Sequence, residues 1–149
     1  MNQKKMIIFI ILLLGIVFKP TLILANSFRI GFHFGEPNAI LIIPNSRMQI
    51  GVGDIGSKAF HIHADYRLKQ TRVSGNLFYY ISAGIQMAAE FWDHPINEKE
   101  MGVAFRLPFG FSSYLSPNFD IFFEVVPVQH LTPHTTFEWQ WGVGIRFRL

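Results

Sequence analysis

The last thirteen residues of the chain, Phe-Glu-Trp-Gln-Trp-Gly-Val-Gly-Ile-Arg-Phe-Arg-Leu (137–149), decide the fold class. Large apolar side chains alternate with glycine, glutamate, glutamine and arginine through the whole stretch. Because successive side chains of a strand point to opposite faces, this period of two predicts a β-strand with one apolar and one polar face. The stretch is longer than a typical strand of a globular protein, which has about 5 to 6 residues.

The same alternation recurs from residue 28 onward, and no stretch shows the 3.6-residue period of an amphipathic helix. We predict eight strands, of which the two at 39–43 and 47–52 are the weakest because one lacks alternation and the other is short. Turn-forming residues such as Ser-Gly-Asn and Ser-Pro-Asn separate the strands. Longer polar connections run over 92–99 and 129–136.

The composition of the two strand faces indicates which one points inward. The face opposite the aromatic one holds glycine, serine, glutamine, histidine and a few charges, and it has almost none of the lysine that covers soluble proteins. The aromatic face is large and continuous, as expected for contact with lipid. We therefore predict an all-β fold over 26–149: an eight-stranded antiparallel transmembrane β-barrel with up-and-down meander topology. The alternative is a soluble periplasmic lipid-binding barrel of lipocalin type, with the aromatic face turned inward.

The N-terminal segment has the layout of a secretory signal peptide. Lys4 and Lys5 precede an apolar run of twelve residues at 7–18, and Ala25 supplies a small residue for cleavage. The run is shorter than the roughly 20 residues that a membrane-spanning helix needs. We predict a cleaved signal peptide at 1–25 and export to the bacterial outer membrane.

Charge and cysteine content exclude several classes of protein. The chain has 13 basic and 10 acidic residues, but three of the lysines lie within 1–25, so the predicted mature chain carries ten of each. The apparent basicity belongs to the export segment, and no basic groove points to a nucleic acid. The absence of cysteine excludes disulfides and cysteine-based metal sites.

Two internal segments and the final strand together resemble a known family. The segments are Ser-Pro-Asn-Phe-Asp-Ile-Phe-Phe-Glu-Val-Val-Pro (116–127) and Phe-Arg-Leu-Pro-Phe-Gly (105–110). They are similar to small outer-membrane β-barrel proteins of the OmpA transmembrane-domain type, most of all to uncharacterised spirochaetal members. The resemblance covers 28–149 and implies an eight-stranded barrel without catalytic residues. Such barrels usually end in an aromatic residue, where this chain has Leu149.

The polar face carries a nearly balanced set of charges that we expect to line the lumen. The predicted lumen charge network consists of Arg29, Asp65, Arg67, Arg106, Asp120, Glu124 and Arg146. Charges inside a narrow barrel must be paired or hydrated, and we expect Arg106 and Glu124 to form a pair at mid-lumen. The network is interpreted either as a fixed plug of ion pairs or as a switchable gate for ions.

Six histidines raise the questions of metal binding and catalysis. His94, His130 and His134 fall in the two longer connections, where converging imidazoles could bind zinc, although their spacing matches no known motif. His61 and His63 share the lumen face with no serine beside them on the outward face, so a nucleophile and base pair is not indicated. We predict no enzymatic activity and no cofactor.

The predicted barrel is too small for a general diffusion pore, because eight strands enclose an interior just wide enough for side chains. We expect a monomer that contacts outer-membrane lipid, with a structural or surface-interaction role and a possible external protein partner at 92–99 and 129–136. Transport of small ionic or hydrophobic solutes is the alternative. Pro108 interrupts a predicted strand, and we expect a β-bulge to accommodate it.

Overall fold

The computed structural model describes residues 28–55, 59–90 and 101–149. The predicted signal peptide at 1–25 and the connection at 92–99 lie outside the described residues. The strands are β1 Arg29–Gly35, β2 Asn38–Ile43, β3 Met48–Ile55, β4 Ala59–Ser74, β5 Leu77–Glu90, β6 Met101–Arg106, β7 Phe109–Ser116, β8 Phe119–Thr132 and β9 Phe137–Arg148. Within these ranges, no helix is long and apolar enough to cross a membrane.

The strands form a closed antiparallel ring. Successive strands pair along the chain, and β9 returns to pair with β1 from Arg148 opposite Arg29 to Gly142 opposite Gly35. The exception is β6 and β7, which do not pair with each other: both pair with β5 on one side and β8 on the other, so together they fill one position in the ring. The nine strands therefore make a barrel with eight strand positions, and the predicted up-and-down meander is confirmed.

Pro108 separates β6 from β7 without a bulge, so the expected β-bulge at this residue is wrong. Arg106 pairs with Gly84 and Phe109 pairs with Ile81, so three steps separate the partners on both strands and the register is unshifted. The Pro108 carbonyl still accepts a hydrogen bond of 2.8 Å from the Ser82 amide. Proline removes only one donor from the ladder, and the neighbouring pairs hold the register. The shift lies instead between Val103 and Ala104.

The barrel is apolar outside and largely polar inside. On β9, Trp139 and Trp141 are 62% and 52% exposed, while Gln140 between them is 4% exposed. Phenylalanine, isoleucine and leucine side chains on the other strands share this outward orientation, as with Phe105 and Phe111. The aromatic face is therefore not turned inward, and the lipocalin-type arrangement is wrong.

Two apolar clusters also lie within the lumen. Ala39, Leu41 and Ile43 of β2 pack with Phe122 of β8, and a second cluster joins Ala104, Val126 and Val128. Strand β2 is apolar on both faces, since its outward Ile40 is 54% exposed. This explains why the sequence of β2 does not alternate between apolar and polar residues.

Lumen-facing glycines make room for the large interior side chains. A Cβ atom at these glycines would collide with a side chain from the neighbouring strand, and the pairs are Gly51 with His63, Gly84 with Asp65, Gly110 with Tyr80, Gly142 with His33 and Gly144 with Phe122. A barrel with eight strand positions is narrow. Large polar groups fit inside it because their neighbours have no side chain.

The connection between β8 and β9 is shorter than predicted. Strand β8 continues to Thr132, and Gln129 pairs with Phe137 across the hairpin, so the connection consists of 133–136 rather than 129–136. The His130 amide donates a 2.8 Å hydrogen bond to the Thr136 carbonyl. His130 is thus a strand residue, and its predicted place in a loop is wrong.

Candidate functional site: the ionic lumen

Near the end of the barrel where β1 begins and β9 ends, the Asp120 carboxylate lies between the guanidinium groups of Arg29 and Arg146. Asp120 of β8 pairs with Arg146 of β9, whose other neighbour is Gly31 of β1. Arg146 Nε and Arg29 Nη1 each donate a 2.6 Å hydrogen bond to Asp120, one to each carboxylate oxygen. Charge-assisted hydrogen bonds of this kind are short and strong. We call Arg29, Asp120 and Arg146 the Asp120 layer.

Aromatic rings hold the arginines of the Asp120 layer. The Arg146 guanidinium lies 4.4 Å from the Phe122 ring centroid and 5.7 Å from that of Tyr80. Arg29 lies 5.2 Å from the Tyr114 ring and also donates a 3.3 Å hydrogen bond to its hydroxyl. A guanidinium placed on the face of an aromatic ring is attracted by it, and this cation–π attraction is stronger where water is excluded.

Deeper in the lumen, one arginine lies between two carboxylates. Arg106 of β6 places Nε 3.0 Å from Asp65 Oδ1 and Nη2 3.7 Å from Glu124 Oε1. Arg106 Nη1 also donates a 3.2 Å hydrogen bond to Gln86 Oε1. The contacts with the carboxylates are ion pairs without hydrogen-bond alignment, since Arg106 Nε has no hydrogen-bond partner. We call Asp65, Arg106 and Glu124 the Arg106 layer.

Tyr80 and two histidines complete the surroundings of the Arg106 layer. Tyr80 Oη donates a 2.8 Å hydrogen bond to Glu124 Oε2. His33 Nε2 lies 3.5 Å from Glu124, and His63 Nε2 lies 3.7 Å from Asp65. All of these side chains are almost completely buried. The sequence pattern does not single them out as members of the network, although each lies on the polar face of its own strand, as Asp65 does.

His61 lies stacked on His63, with ring centroids 5.4 Å apart and planes inclined by 16°. Both of its ring nitrogens are buried without a hydrogen-bond partner among the described residues. Buried polar groups normally have a partner, protein or water. The polar interior around the histidines is therefore less completely paired than the Asp120 layer.

The structure brings the predicted network together but divides it between two layers. Arg106 and Glu124 lie 3.7 Å apart, as the predicted pair requires, yet the nearer carboxylate is that of Asp65. Arg67 is in neither layer, because no carboxylate among the described residues lies within ion-pair distance of it. The network is thus several local pairings rather than one chain of charges.

The three histidines of the predicted metal site are not brought together. His94 lies outside the described residues, His134 is exposed in the connection 133–136, and His130 forms a 3.1 Å contact with Glu138. In the parts of the chain that the structure describes, no three histidine or carboxylate side chains are grouped to hold a metal ion.

Side chains fill the lumen at the level of the Arg106 layer. A cavity of about 10 Å³ lies there, lined among others by Asp65, Tyr80 and Glu124. Such a volume corresponds to about one water molecule. The ionic groups therefore occupy the cross-section instead of lining an open channel.

Comparison with known proteins supports the architecture. No family model matches the sequence, and no curated protein matches it. The fold is similar to the crystal structure of the N-terminal β-barrel domain of Pseudomonas aeruginosa OprF, with a TM-score of 0.56 and 16% sequence identity over 83% of this chain and 98% of that chain. The likeness concerns the fold, and it supports the predicted barrel of the OmpA type.

Proposed function

We propose that the chain is a monomeric integral outer-membrane β-barrel with a structural or surface-interaction role and a lumen closed by ion pairs. The observation that supports this most is the inverted distribution of polarity. Asp120, Glu124 and Arg146 are at most 3% exposed, whereas Trp139 is 62% exposed. A protein surrounded by water places these residue types the other way round. Lipid contact explains a continuous apolar surface of this size.

Aromatic residues lie near both ends of the outward face, as they do in the interfacial girdles of membrane barrels. At one end, Phe137 and Trp139 are in edge-to-face contact, with centroids 5.5 Å apart. At the other, Phe119 and Phe147 pack with centroids 5.0 Å apart. This supports a bilayer between the two ends, with both barrel termini on the periplasmic side.

The filled lumen favours a structural or interactive role over solute transport. An ion crossing the barrel would have to displace Arg106 from two carboxylates and pass the hydrogen bond between Tyr80 and Glu124. We propose that an external protein partner, if the protein has one, binds at 92–99, which lie outside the described residues, and at the connection 133–136. The proposed kinship with spirochaetal barrels rests on the segments 105–110 and 116–127 and on the final strand.

Tryptophan quenching by brominated lipid tests the lipid-facing surface directly. The chain has three tryptophans, Trp92, Trp139 and Trp141, so the variant with Trp92→Phe and Trp139→Phe reports on Trp141 alone. In vesicles of dibrominated phosphatidylcholine we expect strong quenching of Trp141, relative to unbrominated lipid. Heat-modifiable migration in detergent gels shows that the barrel has formed.

The matched control replaces all three tryptophans by phenylalanine and adds His134→Trp in the external connection. Its fluorescence is expected to stay nearly unquenched, because the connection lies beyond the bilayer. Equal quenching of the two variants, or none for Trp141, would contradict the proposal. A planar-bilayer recording of the same preparation without resolvable channels supports the closed lumen.

A further inference from the structure

A third arginine lies beside the Asp120 layer, at the mouth of the lumen next to the turn between β2 and β3. Here a cavity of about 40 Å³ is lined by Arg29, Arg67 and Arg146 together with Ser46, Gln70 and Tyr114. Its volume corresponds to about three water molecules, since one water needs roughly 10–15 Å³ by the same measure. A single tetrahedral group fits such a space, with the remainder of a larger molecule outside the mouth.

The charges around this cavity are unbalanced. Arg29 and Arg146 share the single carboxylate of Asp120. Arg67 has no carboxylate within ion-pair distance among the described residues, and the next layer uses its two carboxylates on Arg106. Three guanidinium groups therefore face one carboxylate, and an anion with one or two charges would balance them.

The Arg67 side chain is held in place by neighbouring residues, and some of its N–H donors have no hydrogen-bond acceptor in the described part of the chain. Its Nη1 donates a 3.0 Å hydrogen bond to Gln70 Oε1, and its guanidinium lies 4.6 Å from the Tyr80 ring centroid. Its Nε is shielded from solvent and has no hydrogen-bond partner among the described residues. A guanidinium has five N–H donors, and an unpaired charge in a partly buried site is unfavourable. Both facts indicate a missing acceptor.

We propose that this mouth binds one phosphate group through Arg29, Arg67 and Arg146. The planar fork of a guanidinium matches two oxygens of a phosphate, and the hydroxyl groups of Ser46 and Tyr114 can add neutral donors. The group belongs either to free inorganic phosphate or to the headgroup of an anionic phospholipid in the adjacent leaflet. This site goes beyond the proposed function, because a barrel with a purely structural role does not need it.

Calorimetric titration with inorganic phosphate tests the site. The protein is purified in a phosphate-free maltoside detergent, and sodium chloride keeps the ionic strength constant. We expect saturable binding of one phosphate per chain. Arg67→Gln should weaken it at least about tenfold, the effect of losing one charged hydrogen-bond partner. Arg67→Lys keeps the charge but not the planar fork of donors, so its phosphate affinity should lie between that of the wild-type protein and that of Arg67→Gln.

Arg47→Gln is the matched control. Arg47 is an exposed residue in the turn between β2 and β3, at the same end of the barrel, and it donates a 3.1 Å hydrogen bond to the Tyr66 hydroxyl. Its substitution changes the net charge equally, and its guanidinium pairs with the outward-facing Tyr66 and does not line the 40 Å³ cavity, so phosphate affinity should stay unchanged. No saturable heat with the wild-type protein, or equal losses in Arg47→Gln and Arg67→Gln, would overturn the proposal.

Two lipid environments distinguish the sources of the phosphate group. The affinity for free phosphate is compared in bilayers of phosphatidylglycerol and of a phosphate-free galactolipid, with Arg47→Gln again as reference. At a salt concentration that screens the negative surface charge of phosphatidylglycerol, a headgroup in the site lowers the apparent affinity in that lipid only, whereas free phosphate as the ligand gives equal affinities. Heat-modifiable gel migration of every variant separates loss of the site from failure of the barrel itself.

Discussion

The two ionic layers of the lumen have opposite arrangements of charge. In the Asp120 layer one carboxylate is shared by two arginines, at 2.6 Å on each side. In the Arg106 layer one arginine is shared by two carboxylates, at 3.0 and 3.7 Å. The first layer has an excess of positive charge and the second an excess of negative charge. Along the lumen the two layers partly balance each other.

A narrow barrel can thus be closed by two different arrangements of charge. The Asp120 layer has short, aligned hydrogen bonds and stacking rings, so its geometry is fully determined. The Arg106 layer has longer ion pairs, and nearby buried atoms such as both nitrogens of His61 have no partner among the described residues. We expect the first layer to act as a rigid brace and the second to respond more to substitution.

The largest expected effect comes from Arg106→Met. It leaves Asp65 and Glu124 buried without their shared cation, and breaking a buried ion pair from one side costs about 3–5 kcal/mol. We expect a loss of that size in the free energy of unfolding. Equilibrium urea unfolding of the refolded barrel, followed by tryptophan fluorescence, measures it.

Arg106→Lys is the control for this experiment, because it keeps the charge while losing the fork that contacts Gln86 as well. Its loss should be clearly smaller than that of Arg106→Met. Equal losses would show that shape rather than charge makes the layer stable.

Asp120→Asn should have the next largest effect. It removes the charge between Arg29 and Arg146, and hydrogen bonds to charged groups contribute about 1.5–3 kcal/mol. The loss stays below that of Arg106→Met because the Arg29 side chain is 22% exposed and can hydrate. The same urea series measures it, and a loss larger than that of Arg106→Met would reverse the ranking of the two layers.

Tyr80→Phe should have a smaller effect, about 1–2 kcal/mol, because it removes the only hydroxyl that donates to Glu124 among the described residues. Ring packing against Arg67 remains. The outward Tyr79→Phe on the same strand is the matched control and should change the stability little. If the two variants are equally destabilised, the hydrogen bond from Tyr80 to Glu124 does not contribute measurably to the free energy of unfolding.

The smallest effect is expected on conductance. Glu124→Ala removes one of two carboxylates from Arg106, but Asp65 still holds the guanidinium across the lumen. We expect single-channel recordings to stay as silent as those of the wild-type protein, with Glu124→Gln as the control of unchanged volume. The appearance of open channels in Glu124→Ala alone would show that the Arg106 layer is a gate and not a plug.

Much of this fold was accessible from alternation alone, since a strand with two faces must present one of them outward. The failures have local causes. Pro108 was expected to need a bulge, but pairs on both sides of it preserve the register. The polar stretch 129–136 predicts a loop at His130, whereas backbone pairing with Ala104 extends the strand. Such pairings depend on the partner strand, which the local sequence does not reveal.

The order of residues alone indicates a β-barrel whose strands have one aromatic and one polar face, because a period of two and the type of residue on each face can be read directly from it. The folded barrel shows that the aromatic face is the outer one. Which charges lie next to each other depends on the folded barrel. Asp65 lies closer to Arg106 than Glu124 does, and Arg67 faces a cavity without a carboxylate of its own. Depth and direction inside a barrel depend on strand tilt and register, which closure of the whole ring sets.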